Sequence, residues 1–131
     1  MKLPIEIKTK WIAALRSGEY KQAKHELHDG RGFCCLGVLA EVLEPGVTKA
    51  GGELCGMTSF RCSEEVNNGI RTFAQRHELG ALFSENKGLR YEADKEEVSM
   101  GGYMEADRAL MGFNDNGWTF GHIATLIEEH L

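Results

Sequence analysis

Six side chains of this 131-residue chain could carry metal or nucleophile chemistry: Cys34, Cys35, Cys55 and Cys62, with His25 and His28. Thiolates and imidazoles are the preferred ligands of zinc, and four of them suffice for a tetrahedral site. The spacing argues against one. Cys55 and Cys62 do not form the close pair of a zinc knuckle, and Cys34 and Cys35 are adjacent, so on an extended backbone they point to opposite faces. A second chemistry would use Cys35, at the start of a helix, as a nucleophile with His25 or His28 as its base. No flanking signature of a cysteine hydrolase accompanies it, and apolar burial would raise the thiol pKa. Neither metal, cofactor nor catalytic residue is expected.

Phosphate-loop motifs also fail. Gly30-Arg31-Gly32 opens like a dinucleotide fingerprint, but the next required glycine falls on Cys35, and no Gly-Lys-Ser or Gly-Lys-Thr is present. Asn114-Asp115-Asn116-Gly117 has the look of a calcium loop, yet the first and last ligand positions hold Gly112 and Ile123. A non-catalytic anion site survives these tests. Tyr20, Lys21, Gln22 and Lys24 precede a turn and Arg31 follows it. Arg31 could grip a phosphate with two parallel hydrogen bonds, and Tyr20 or Trp118 could stack on a base. Asn114, Asp115 and Trp118, in the second signature turn, complete the candidate set.

These residues need elements to position them. Pro4 suits a helix start, Ile7, Trp11, Ala14 and Leu15 make one stripe, and Ser17-Gly18 stops it. A strand around Lys24–Leu27 is expected next. Asp29-Gly30 would return it as a type I′ hairpin, a turn needing positive φ at both positions. Leu36, Leu39, Ala40 and Leu43 then share one helical face. Val38 and Val42 add a second, so this helix should be buried nearly all round, and Pro45-Gly46 ends it.

Residues 45–62 lack a period and read as loop with one short strand at most. Ser63 is a candidate N-cap for a helix through Val66, Ile70 and Phe73, terminated at Gly80. Leu82-Phe83 and Leu89-Arg90-Tyr91 flank Asn86-Lys87-Gly88, as a second hairpin or an irregular loop. Tyr103, Ala106, Leu110 and Phe113 mark another helix. Thr119 caps the last one, with Phe120, Ile123, Ala124, Ile127 and Leu131 inward and Trp118 placed to staple against Ile123. The expected fold class is α+β: a single domain, 1–131, of about five helices packed with a small antiparallel sheet or hairpin.

Composition bounds the partners. Hydrophobic residues make up 42% and charged residues 27%, as in ordinary globular proteins. The net charge of −5 disfavours indiscriminate binding to nucleic acid. It is uneven: residues 1–31 hold seven Lys or Arg against four Asp or Glu, the remainder eight against sixteen. No signal-peptide stretch and no apolar run of membrane-spanning length occurs, so a cytoplasmic location with reduced cysteines is expected.

Four stretches carry a resemblance: Trp11-Ile-Ala-Ala-Leu-Arg-Ser-Gly-Glu-Tyr-Lys-Gln, Asp29-Gly-Arg-Gly-Phe-Cys-Cys-Leu-Gly-Val-Leu, Asn114-Asp-Asn-Gly, and Phe120-Gly-His-Ile-Ala-Thr-Leu-Ile-Glu. Together they resemble a large group of small uncharacterised proteins encoded by tailed bacteriophages and prophages. The likeness covers roughly residues 8–43 and 108–131. Ala40 departs from it, standing where the group often has a further cysteine. The resemblance supplies no catalytic residues. It implies an accessory protein that neutralises a host component, including antiviral defence factors or their nucleotide signals.

The combined expectation is a binding protein without catalysis that sequesters an anionic, nucleotide-derived host signal, as a monomer or a homodimer. Two alternatives stand beside it. One is an inhibitor docking on a host defence or nucleic-acid-binding protein through the acidic remainder. The other is a small thiol- or metal-dependent hydrolase.

Overall fold

The computed structural model describes residues 2–55, 73–84, 86, 89 and 105–131. Helix α1 spans Ile5–Ser17, α2 Cys35–Leu43, α3 Ala106–Asp115 and α4 Phe120–His130, with a 3-10 helix at Gly80–Phe83. Residues 73–76 are also helical. The Ser63 cap and Tyr103 lie outside the described residues.

Local chemistry sets most of these bounds. Pro4 is the N-cap of α1 and Gly18 ends the helix in the left-handed region at φ +78°, the usual glycine stop. The Cys34 sulfur accepts the Gly37 N–H at the start of α2. Thr119 caps α4 by accepting the His122 N–H at 3.3 Å, satisfying a donor the helix itself cannot.

Helix α2 is central, and every residue from Cys35 to Glu41 is buried. Helix α1 packs on both α2 and α4, and α3 packs on α2, α4 and the 3-10 helix. The buried indole of Trp11 donates Nε1–H to the Cys35 carbonyl at 2.9 Å, joining α1 to the first turn of α2. Arg16 reaches Glu128 at 2.8 Å, and the Leu3 N–H donates to the Leu131 carbonyl at 3.3 Å. The last turn of α1 thus meets α4, and the residues just before α1 meet the C-cap of α4.

The expected antiparallel sheet is absent: among the described residues there is no strand and no hairpin, so the fold is helical rather than α+β. Residues 19–34 form a wound loop with two isolated bridges, Gln22 to Phe33 and His28 to Phe33. Two features explain the correction. A type I′ turn requires positive φ at both central residues, but Gly30 alone of the pair has it, at +93°. The Asp29 carboxylate instead accepts the N–H groups of Arg31 and Gly32, each at 2.8 Å, a side-chain turn that competes with strand pairing. His25 at φ +69° also breaks the extended run read at Lys24–Leu27. Leu82 and Phe83, read as one arm of a second hairpin or loop, lie in the 3-10 helix.

Candidate functional site

Asn114, near the end of α3, is fully buried and uses both ends of its amide. Its oxygen accepts from Gln22 Nε2 at 2.9 Å and from the Cys35 N–H at 3.2 Å. Its nitrogen donates to the Ala23 carbonyl at 2.7 Å and to Asp115 Oδ1 at 3.2 Å. One side chain therefore ties the wound loop, the end of α3 and the start of α2 together. A fully satisfied buried amide of this kind rigidifies what it joins.

Neighbouring contacts extend the join. Gln22 Nε2 also donates to the Trp118 carbonyl at 2.7 Å. Asp115 Oδ1 accepts the His25 N–H at 2.9 Å, while Oδ2 lies 3.5 Å from His25 Nδ1. Residues 22–25 are thus fastened along residues 114–118. The far arm of the loop returns close by, since Lys21 accepts the Phe33 N–H at 2.8 Å. Gly32 packs so tightly there that a Cβ would stand 2.5 Å from the Lys21 carbonyl oxygen.

The eight residues singled out from sequence divide into two groups. Gln22, Asn114, Asp115 and Trp118 come together directly, and the first three hold the loop in place. Lys21, Lys24 and Arg31 are exposed on that loop. Tyr20 is half-buried, edge-on to Phe33 at 5.5 Å, and His28 stacks on Phe33 at 4.4 Å. Trp118 is 41% exposed, with its ring 4.6 Å from Phe113 and 5.8 Å from His122.

His122 was missed in the sequence. The signal was its position four residues after Trp118, one residue beyond the turn. His25, considered only as a metal ligand or a base, is held by a carboxylate 90 residues away, which no local pattern reveals.

The electrostatics separate this surface from the thiols. Backbone hydrogen bonds from Arg31 and Gly32 hold the Asp29 carboxyl below its usual range. Burial pushes the Cys34 thiol up to about 11. Burial, followed by its neighbour Cys34, pushes Cys35 well above the ordinary thiol value. Cys35 Sγ faces the Leu110 carbonyl at 3.6 Å. The helix start therefore does not generate a thiolate, because desolvation outweighs the helix-end hydrogen bonds. Cys55 is exposed, and Cys62 lies outside the described residues. Among the described residues no three of His, Cys, Asp and Glu gather as metal ligands would.

A separate ionic cluster lies beyond α2. Glu44 Oε2 accepts from Arg76 Nη2 at 2.5 Å and lies 2.7 Å from His77 Nε2, and Arg76 also reaches Glu53 at 3.0 Å. Burial would raise the Glu44 pKa, but the hydrogen bonds and charges of Arg76 and His77 outweigh it and lower the value. The cluster joins the loop after α2 to residues 76 and 77, away from the Asn114 network.

No helix among the described residues is long and apolar enough to cross a membrane. No curated protein and no solved structure matches the chain. One family model does, over residues 3–131, under the description "Domain of unknown function (DUF8296)". With nearly the whole of its length matched, the chain belongs to the DUF8296 family.

Proposed function

We propose that this protein binds an anionic, base-containing small molecule on the wound loop of residues 19–34 and holds it without chemical turnover. Lys21, Lys24 and Arg31 contact the phosphate groups, and the base lies on the exposed indole of Trp118. In the biology implied by the phage-type resemblance, such binding sequesters a nucleotide-derived defence signal of the host.

The single observation carrying this reading is the Gln22 bond to the Trp118 carbonyl at 2.7 Å. It fastens an exposed aromatic ring to a loop that presents Lys21, Lys24 and Arg31 to solvent alongside the acidic Glu19 and Glu26. An exposed stacking face together with exposed cations suits a nucleotide better than an apolar ligand. The burial of both vicinal thiols counts against the hydrolase alternative.

The chain has two tryptophans, and Trp11 is fully buried, so ligand-dependent emission changes report Trp118. Titration with a panel of mono- and dinucleotides should quench or shift that emission and return the nucleotide intact on denaturation. Trp118→Ala should weaken binding about ten-fold, the scale of one lost base stack, with some lowering of the thermal midpoint from its lost packing on Phe113. Arg31→Ala should weaken binding by a similar factor with the midpoint unchanged. No response to any nucleotide would overturn the reading. A cleaved nucleotide would point to an enzyme, and salt-sensitive capture of one host protein to an inhibitor.

A further inference from the structure

We infer that His25 is an anion-contacting residue of this site, so that ligand binding strengthens as histidine takes up its proton. The inference rests on the binding reading above and adds a titrating contact to it.

Three observations carry it. His25 has φ +69°, a region that glycine enters freely and that asparagine, aspartate and histidine enter more readily than other residues. The conformation is held from outside, by the N–H bond to Asp115 Oδ1 at 2.9 Å. That bond would serve any residue at this position, so the backbone does not require an imidazole. Yet the imidazole is presented outward, with 77% of the side chain exposed.

Its surroundings define the ligand chemistry. The ring has one ionic contact among the described residues, Nδ1 to Asp115 Oδ2 at 3.5 Å, which leaves Nε2 unengaged by that carboxylate. Lys24 and Glu26 flank it on the loop, and His28 follows three residues later against Phe33. The residues fastened beside it, 114–118, end at the exposed Trp118. An exposed imidazole that can donate from Nε2, beside Lys24 on a loop fastened along residues 114–118, suits a phosphate oxygen of a nucleotide.

The test uses the full chain and diadenosine 5′,5′-pyrophosphate, whose diester charges do not titrate across the histidine range. Dissociation constants are measured by Trp118 emission and calorimetry at about pH 8 and about pH 5.5, which bracket histidine protonation. The wild-type Kd should tighten about three-fold or more on acidification, the scale of one exposed ion pair. His25→Asn keeps the backbone conformation and the Asp115 bond but cannot be protonated, and should lose most of that gain. His25→Gly, a second variant suited to the left-handed backbone, should behave alike. Any small remainder belongs to His28 and His122. Equal tightening in wild type and both variants would overturn the inference while leaving the binding site in place, as would a pH-independent wild-type Kd. No binding by the wild type at either pH would overturn the parent reading as well.

Discussion

The side-chain oxygen of Asn114 accepts the backbone N–H of Cys35 at 3.2 Å, so the end of α3 satisfies a donor at the start of α2. The same amide holds Gln22 and the Ala23 carbonyl. Asn114→Ala would leave these buried groups without partners, and each costs about 1–3 kcal/mol when stranded. Relaxation and water entry recover part of that sum. The expected loss is roughly 3 kcal/mol in urea unfolding, with an unchanged slope if the native fold persists.

Gly37 has a different role from Gly18. A Cβ at Gly37 would overlap the Leu27 carbonyl oxygen, whereas one at Gly18 would meet nothing within 4 Å. Gly37→Ala therefore forces backbone away from backbone and should cost about 3 kcal/mol or abolish folding. Gly18→Ala bears only the left-handed conformation at φ +78°, about 1 kcal/mol. Paired thermal melts of the two variants distinguish a packing constraint from a conformational one.

Acid should open the turn at Asp29. Its folded pKa is lowered from the ordinary 3.8 by the N–H groups of Arg31 and Gly32. The unfolded chain thus binds this proton more readily than the folded one. The associated stability is present above the unfolded pKa and is lost as pH falls through the folded value. Asp29→Asn keeps an acceptor for the turn but does not titrate, so its stability should decline less steeply below about pH 4. Glu44, lowered by Arg76 and His77 despite its burial, adds a slope of the same sign, which Glu44→Gln isolates.

Thiol labelling should sort the cysteines by burial. Brief iodoacetamide treatment of native protein near pH 8 should modify Cys55, which is exposed. Cys34 and Cys35 should react only after denaturation, since burial both covers them and disfavours their thiolates. Peptide mass spectrometry reads each position separately. Rapid native alkylation of Cys35 would restore the nucleophile alternative.

Helix limits were largely legible in the sequence because their chemistry is local. Pro4, Gly18 and Thr119 act within a few residues of the ends they set, and α2 is as apolar in its surroundings as in its composition. The sheet was misread because Asp29-Gly30 supports more than one turn, and the Asp29 side chain captured the N–H groups that decided between them. The site was half legible. Residue types drew attention to Gln22, Asn114 and Asp115, but the partners that tie them into the loop lie about 90 sequence positions away. Such pairings follow from how the helices pack, which no window of sequence contains.

The packing of α1 on α4 has a consequence for synthesis. The apolar stripe at Trp11 and Leu15 emerges from the ribosome more than a hundred residues before the helix at Phe120–His130. Until that late helix arrives, the early one lacks a principal packing partner. Closure of so distant a contact is slow compared with local helix formation. Nascent chains halted short of α4 should therefore be protease-sensitive and bind chaperones, and the fold should lock only once the helix at Phe120–His130 has left the ribosome.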